Sequence, residues 1–574
     1  MYISAITLAG FRGLDTRVAL SGPLSIIAGE NNIGKSTIVD ALRIATSPYH
    51  DYRTRTSVSV QDFSHDGRGD RVATELSIAL ELRGLTGTER GRLATCLTPS
   101  ISQDSAKLTL TARLDDNERI TTEWSGGDLG NDVESFARTA IRHVYLHPLR
   151  DAARDLRPGV NNRLTGLISA FTDADGVDRA ELEKIVDAAN ASLAKVNAVG
   201  NAKAAILGSL ASLTGPGPYA QQSDLRFSPA KYDRIISTLR ALMGRHAPLD
   251  LEENGLGFNN ILYMAVLLAV LKNADEAPLQ LLLVEEPEAH LHPQLQDLLM
   301  RYLEEQAAGD TQVILTTHSP QFASSARVER MTVLAETSTS TRAAFHLGGM
   351  GIEEKDLAFL RRFLDVTKSS LLFSKGVILV EGIAEQLVVP QIAFKLGAPL
   401  SQHGITVVNV GGLNFAAFNS LFRDGGLPFN CAIISDSDPT FEGEFDPTDI
   451  NPSAMAKKLA EQPEGRVKAF LAKRTFEWDL AFAGDGANRP ALVKALRSVR
   501  PIKAKELEKS EAPTTGWADA FLDAVGKHKG TFAQSLAAEL ATSEIHLSKI
   551  PLYLADAIRW VIPAVTFVDD DVDE

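Results

Sequence analysis

Two cysteines in 574 residues, Cys96 and Cys431, are too few and too far apart for a disulfide framework or a cysteine-rich zinc module. Their scarcity suits a reducing cytoplasm, the compartment expected for this chain. Long hydrophobic runs are missing as well. The longest, Ile261 to Leu271, has about half of the roughly 20 residues that a membrane helix needs, so no membrane partner is expected. The opening residues, Met-Tyr-Ile-Ser-Ala-Ile-Thr-Leu, lack the basic start and small-residue cleavage site of a signal peptide. Short internal repeats and low-complexity linkers are absent. At 44% hydrophobic and 23% charged residues, the composition is that of a soluble globular protein. The length allows about two to four domains.

Positive charge is in deficit: 58 Lys and Arg face 73 Asp and Glu, a net charge of −15. Taken as a whole, that balance disfavours a phosphate-binding surface. Local clustering matters more, and the acidic residues of Asp569 to Glu574 read as a solvated tail. Two stretches are basic: Arg142, Arg150, Arg154, Arg157 and Arg163, and then Lys494, Arg497, Arg500, Lys503 and Lys505. Each is either a DNA contact or a solvated helix face.

Along the chain, residues 1–160 alternate short apolar strand-like runs with polar turns, as in Leu24-Ser-Ile-Ile-Ala28 and Leu76-Ser-Ile-Ala-Leu80. Residues 161–245 change period. Leu182, Ile185, Ala189, Leu193 and Val196, then Ile206 and Leu210, fall at helical spacing, and Gly215-Pro-Gly-Pro218 breaks the pattern. Strand and helix alternation returns over 246–365, and a second α/β block occupies 370–574. The expected fold class is therefore α/β in two catalytic parts, the first interrupted by a helical insert.

Gly29-Glu-Asn-Asn-Ile-Gly34-Lys35-Ser36 fits the P-loop pattern G-x-x-x-x-G-K-[ST], after an apolar strand and before a helix-like segment from Thr37 to Ile44. Backbone N–H groups of such a loop, here with Asn31, Asn32, Gly34 and Thr37, surround the phosphates of ATP. Lys35 reaches the terminal phosphates and Ser36 ligates Mg²⁺. The buried run Leu281-Leu-Leu-Val284 ends in Glu285-Glu286-Pro287. Glu285 is expected in the Mg²⁺ shell and Glu286 as the carboxylate that polarises the attacking water. His290 and His292 form an H-x-H pair with no further ligands nearby, which argues against a metal site there. Val313-Ile-Leu-Thr-Thr317 delivers His318, which resembles the switch histidine of ABC-type ATPases. Asn254-Gly255-Leu256-Gly257 opens an apolar helix and resembles their signature, so Gly255 and Gly257 would close over the ATP of a partner subunit in a homodimer or higher oligomer. Gln61 is the weak candidate for the Q-loop residue.

A second group of acids follows. Gly376-Val-Ile-Leu-Val380 reads as a buried strand ending in Glu381-Gly382-Ile-Ala-Glu385. Glu385, one helical turn in, falls on the same side as Glu381. Ile405-Thr-Val-Val-Asn-Val410 ends in Gly411-Gly412, and Cys431-Ala-Ile-Ile-Ser435 ends in Asp436-Ser-Asp438. Strand alternation points Asp436 and Asp438 the same way if the strand stays extended. Parallel strands would gather all these acids at one carboxyl edge. Carboxylates so crowded repel one another unless divalent cations neutralise them, which is what phosphodiester cleavage by metal ions requires.

Together, the N-terminal strand Ile3 to Phe11-Arg12-Gly13, the P-loop, the segment Tyr145 to Asp155, the EEPEAHLHP stretch and the second acidic block resemble the OLD (overcoming lysogenization defect) family of nucleases. That family includes the nuclease subunit of the Gabija anti-phage system. The resemblance implies an ABC ATPase with a helical dimerisation insert, followed by a Toprim nuclease domain. It makes Glu381, Glu385, Asp436 and Asp438 metal ligands, for Mg²⁺ or Mn²⁺. Thr475-Phe-Glu477 looks like the family's additional [ST]-x-E metal-binding element, and Lys529 like its late catalytic lysine. The expected function is an ATP-hydrolysing, metal-dependent DNA endonuclease in anti-phage defence or DNA processing, with a helicase as candidate partner protein. Three rival readings remain: a topoisomerase or primase, which would need a tyrosine-bearing DNA-gating domain or a zinc module, neither of which shows in the sequence; a recombination or repair ATPase of the chromosome-structuring kind; and an ATP-switched DNA sensor that does not cut.

Overall fold

The computed structural model describes residues 1–48, 57–66, 69–148, 156–159, 163–172, 176–215, 221–226, 228–244, 247–272, 278–309, 311–337, 341–461, 465–542, 546–564 and 572–573. Arg150 and Arg154 of the first basic stretch lie outside the described residues.

Tyr2–Phe11 hydrogen-bonds antiparallel to Leu14–Ala19 on one side and to Glu75–Arg83 on the other, at one end of a six-stranded sheet. Behind it lies a seven-stranded sheet in the order Arg342–His346, Met331–Glu336, Leu24–Gly29, Thr311–Thr317, Leu279–Glu285, Ile141–Leu146, Ser47–Pro48. Every pairing in it is parallel except that of the edge strand Arg342–His346. The central strands Leu24–Gly29 and Leu279–Glu285 carry near-continuous apolar runs because helices and the first sheet cover both faces. Register then sets function: Ala28 pairs with Thr317, and Glu285 with Thr316. The P-loop, the Glu285-Glu286 pair and His318 thus leave the sheet at one edge.

Between the two parts of this sheet the chain forms the helices Arg163–Ala170, Val177–Leu193, Asn197–Thr214 and Tyr232–Thr238. Val177–Leu193 and Asn197–Thr214 have no buried residue, and Val177, Ile185, Val196 and Leu213 are exposed.

The C-terminal part is built on a four-stranded parallel sheet in the order Ile405–Asn409, Gly376–Val380, Asn430–Ser435, Val467–Leu471. Its fourth strand, Val467–Leu471, carries no motif in the sequence. Leu371, Leu372, Val377 and Phe418 share one buried cluster with Phe322, Val328 and Met331 of the nucleotide-binding part, and Ser369 Oγ donates to the Pro320 carbonyl at 2.7 Å. A second apolar core joins the other face of this sheet to the helices of residues 476–561. The expected solvated tail is docked in part: Val572–Asp573 pairs with Ile550–Pro551, and Val572 is buried. No helix among the described residues is long and apolar enough to cross a membrane.

Candidate nucleotide and acidic sites

In the P-loop, Gly34 caps the helix Lys35–Ala45 with φ 115°, a conformation that suits glycine. The Lys35 ammonium is buried and donates to the carbonyls of Gly29 and Glu30, each at 2.7 Å. Burial lowers its pKa, while Glu286, Glu288, Glu285 and Glu30 pull the other way. Asn31, Asn32 and Ser36 are exposed and Thr37 half-exposed along the same loop, open to an incoming phosphate.

Ser36 Oγ donates to Glu285 Oε2, and the Tyr145 hydroxyl donates to Glu285 Oε1 at 2.7 Å. Adjacent ligands of an octahedral Mg²⁺ at 2.0–2.1 Å stand roughly 2.9 Å apart. Ser36 and Glu285 bring together oxygen donors of the kind Mg²⁺ takes, in a pair that would have to open slightly to seat the ion, and the carboxylate is held by the half-buried Tyr145 phenol. Glu286 takes a left-handed backbone, φ 45°, which turns it out of the strand; such strain collects at functional sites. His318 Nδ1 lies 3.2 Å from Glu286 Oε1 and 3.8 Å from Glu288 Oε1. Glu288 is the residue that the sequence did not single out. It is buried, accepts from Thr317 Oγ1 at 2.6 Å and from the His318 N–H at 3.2 Å, and so fixes the histidine's backbone. Burial raises its pKa.

Gly255 is exposed with open space around it. Gly257 has a role within its own chain, because a Cβ there would meet the His290 carbonyl oxygen at 2.5 Å. Leu256 and Phe258, beside these glycines, are exposed at 56% and 58%. His290 and His292 are exposed, and no group of three or more His, Cys, Asp or Glu among the described residues already forms a metal-ligand set. Gln61 sits exposed in the turn Val60–Asp62, whose Asp62 binds Arg12.

At the carboxyl edge of the second sheet, Val380 pairs with both Asn409 and Ile434, so Glu381, Gly411 and Asp436 emerge together. Gly411 and Gly412 turn with φ 72° and 92°, and the Gly412 N–H donates to the Glu381 carbonyl at 2.8 Å. Glu381 Oε1 accepts from the Ser435 hydroxyl and from the Asp436 N–H at 2.9 Å. Glu385 is buried in the first turn of the helix Ile383–Lys395. Asp436 Oδ1 accepts from the Phe476 N–H at 2.8 Å, which places that carboxylate at the start of the helix Phe476–Gly486. The same turn carries buried Glu477, paired with Lys529 Nζ at 2.7 Å. Thr475 Oγ1 accepts from the Trp478 N–H and so caps this helix. Asp479 accepts from the N–H groups of Lys473 and Arg474 and pins the turn before it.

One expectation fails. The strand does not stay extended past Ser435: Asp438 has φ 40° and is exposed, and its N–H and that of Ser437 both turn to the Arg474 carbonyl. The alternation that paired Asp438 with Asp436 ends with the ladder. The largest charge effects on Asp436 come from Glu381, Glu385 and Glu477, opposed by Lys529. Asp438 is not among these leading influences.

Electrostatics show what the cluster lacks. Burial first, then Glu381, Glu385 and Glu477, push Asp436 well above the usual carboxylate range. Burial, with Glu477 and Glu381 behind it, pushes Glu385 up to about 7. Burial works against the charge of Lys529, but Glu477, then Asp436 and Glu385, outweigh it and raise its pKa. One ammonium among four carboxylates leaves excess negative charge, and carboxylates are the donor type that divalent cations take, though no three of these acids stand as a ready metal-ligand group among the described residues.

A pH effect follows. An ordinary glutamate ionises near 4.5, but folded Glu385 holds its proton to about 7. Stability from this group is complete below 4.5 and declines as pH rises toward 7, because the unfolded chain releases its proton first. Cations need the ionised form, so stabilisation by Mg²⁺ should grow over the same window. Melting temperatures measured from pH 4.5 to above 7, with and without Mg²⁺, check this, and Glu385→Gln should flatten both trends.

The second basic stretch is internally paired: Lys494 with Glu539, Arg497 with Glu508, Lys503 with Glu506, and Arg500 with the Ala524 carbonyl.

Comparison with known proteins finds two families along the chain. Residues 1–84 and 160–323 match the family described as AAA ATPase domain. Residues 372–438 match the overcoming lysogenization defect protein-like TOPRIM domain. The chain is 25% identical over 459 residues to the uncharacterized protein YbjD of Escherichia coli (strain K12), covering 76% of this chain and 80% of that one. It is 25% identical over 429 residues to the OLD nuclease of Thermus scotoductus, covering 71% and 77%. It is 21% identical over 452 residues to the endonuclease GajA of Bacillus cereus (strain VD045), covering 74% of each.

Proposed function

We propose that this chain, an AAA ATPase domain joined to an OLD-like TOPRIM domain and homologous to the OLD nuclease and to GajA, is an ATP-dependent DNA endonuclease of the anti-phage defence or DNA-processing kind. The observation that carries this reading is the cluster of Glu381, Glu385, Asp436 and Glu477 around Lys529 at a parallel-sheet edge. Mg²⁺ or Mn²⁺ bound there would activate water and stabilise the leaving oxygen of a phosphodiester. The chain's own groups do the rest. Ser435 and the Asp436 N–H orient Glu381, the Phe476 N–H orients Asp436, and Lys529 offers a fixed positive charge to the phosphate as it gains negative charge. Asp438 and Thr475 belong to this proposal as exposed and capping groups, with Thr475 already committed to its helix.

In the nucleotide site, Lys35, Ser36 and Glu285 would hold ATP·Mg²⁺, and Glu286 with His318 would position the attacking water. Exposed Leu256 and Phe258, flanking Gly255 and Gly257, support closure against a second copy of the chain. The free, buried cysteines suit a cytoplasmic setting.

Lys529→Ala tests the assignment of the acidic site. Removing one group aimed at developing charge costs about 10²–10³-fold in rate. Single-turnover nicking of supercoiled DNA in Mg²⁺ should slow by that factor while the dissociation constant for DNA changes little. An unchanged rate would remove Lys529 from the mechanism.

A further inference from the structure

Tyr553 stands near the start of the helix Leu552–Val561. Its hydroxyl oxygen is buried, yet it has no hydrogen-bond partner. The helix packs against the strand Asn430–Ser435 and the helix Ile383–Lys395, the elements that deliver Asp436 and Glu385. Burial first, then the charges of Asp479, Asp436, Glu385 and Glu477, raise the pKa of the hydroxyl. A buried hydroxyl without a partner destabilises a fold, and phenylalanine would fill the same space without that cost. All four neighbours are hydrogen-bond acceptors, so the phenol is the complementary donor. Some of their oxygens are already engaged: Asp479 by two backbone N–H groups, Asp436 by the Phe476 N–H, and Glu477 by Lys529.

We propose that Tyr553 is a positioning residue of the acidic site, whose hydroxyl donates to a cluster carboxylate in the cation-loaded state and holds it in ligating geometry. The proposal rests on the reading of Glu381, Glu385, Asp436 and Glu477 as the cation ligands. Groups that hold metal ligands in place are worth about 10–100-fold in metal affinity, and the burial and raised pKa of the phenol keep it a donor throughout the physiological range.

The test is Mn²⁺ titration calorimetry on the full chain without nucleotide, using wild type, Tyr553→Phe and Asp436→Ala, with melting temperatures measured without metal. The cluster's isotherm is the one that Asp436→Ala removes. Tyr553→Phe should weaken that isotherm about 10–100-fold while its metal-free melting temperature equals or exceeds that of wild type. A purely structural hydroxyl would do the reverse, lowering the metal-free melting temperature and leaving the isotherm unchanged; either result overturns the proposal. If Asp436→Ala binds Mn²⁺ as wild type does, the ligand reading itself fails and the proposal falls with it.

Discussion

Asp436→Ala is expected to abolish DNA cleavage while ATP binding stays near wild type. Asp436 lies at the tip of the strand Asn430–Ser435, within the field of Glu381, Glu385 and Glu477. The nucleotide groups Lys35, Ser36 and Glu285 belong to a different sheet. Loss of residues that merely support a metal ligand costs about 10–100-fold, and loss of a ligand itself should cost more. The substitution removes a carboxylate that burial and its neighbours hold in the costly range, which offsets the loss of its bond from the Phe476 N–H. Plasmid nicking and binding of a fluorescent ATP analogue, measured on one preparation, check the separation. Equal loss of both would mean that the two sites are not independent.

Glu286→Gln is expected to bind ATP but to hydrolyse it about 10²–10⁴-fold more slowly, the range of general acid–base contributions. The amide keeps the size of the side chain but cannot take up a proton from water, and its contact with His318 becomes neutral. ATP trapped in this way should hold the closed form, so size-exclusion with light scattering should show more dimer or higher oligomer with ATP than without. Hydrolysis near the wild-type rate would move the catalytic role to Glu285 or Glu288.

Much of both sites was legible because short motifs sit at strand ends, where the chain's own register brings them together. The Gly34-Lys35-Ser36 loop, the Glu285-Glu286 pair and His318 each follow an apolar run, and parallel pairing of Ala28 with Thr317 and of Glu285 with Thr316 aligns them. Glu381 and Asp436 are aligned for the same reason by Val380 and Ile434. The alternation that would point Asp438 the same way as Asp436 holds only inside a hydrogen-bonded ladder, and this ladder stops at Ser435. Tyr145, Glu288 and Tyr553 were not legible as site residues. Tyr145 reaches Glu285 across 140 residues of sequence, and Tyr553 meets its acids only through packing of the last helix. Contacts of that range leave no local period in the sequence. Gly257 also carried two meanings: the motif suggested approach to a partner's nucleotide, while the fold uses the missing side chain against the His290 carbonyl.

The central claim is that the acidic edge of the second sheet cuts DNA through bound divalent cations. Its most direct test is the initial rate of supercoiled-plasmid nicking as Mn²⁺ is titrated into metal-stripped protein. The four carboxylates exceed what a single Mg²⁺-type ion takes from protein, so the rate should be zero in EDTA and should rise with an order in Mn²⁺ above one. Cleavage that persists undiminished in EDTA would contradict the account.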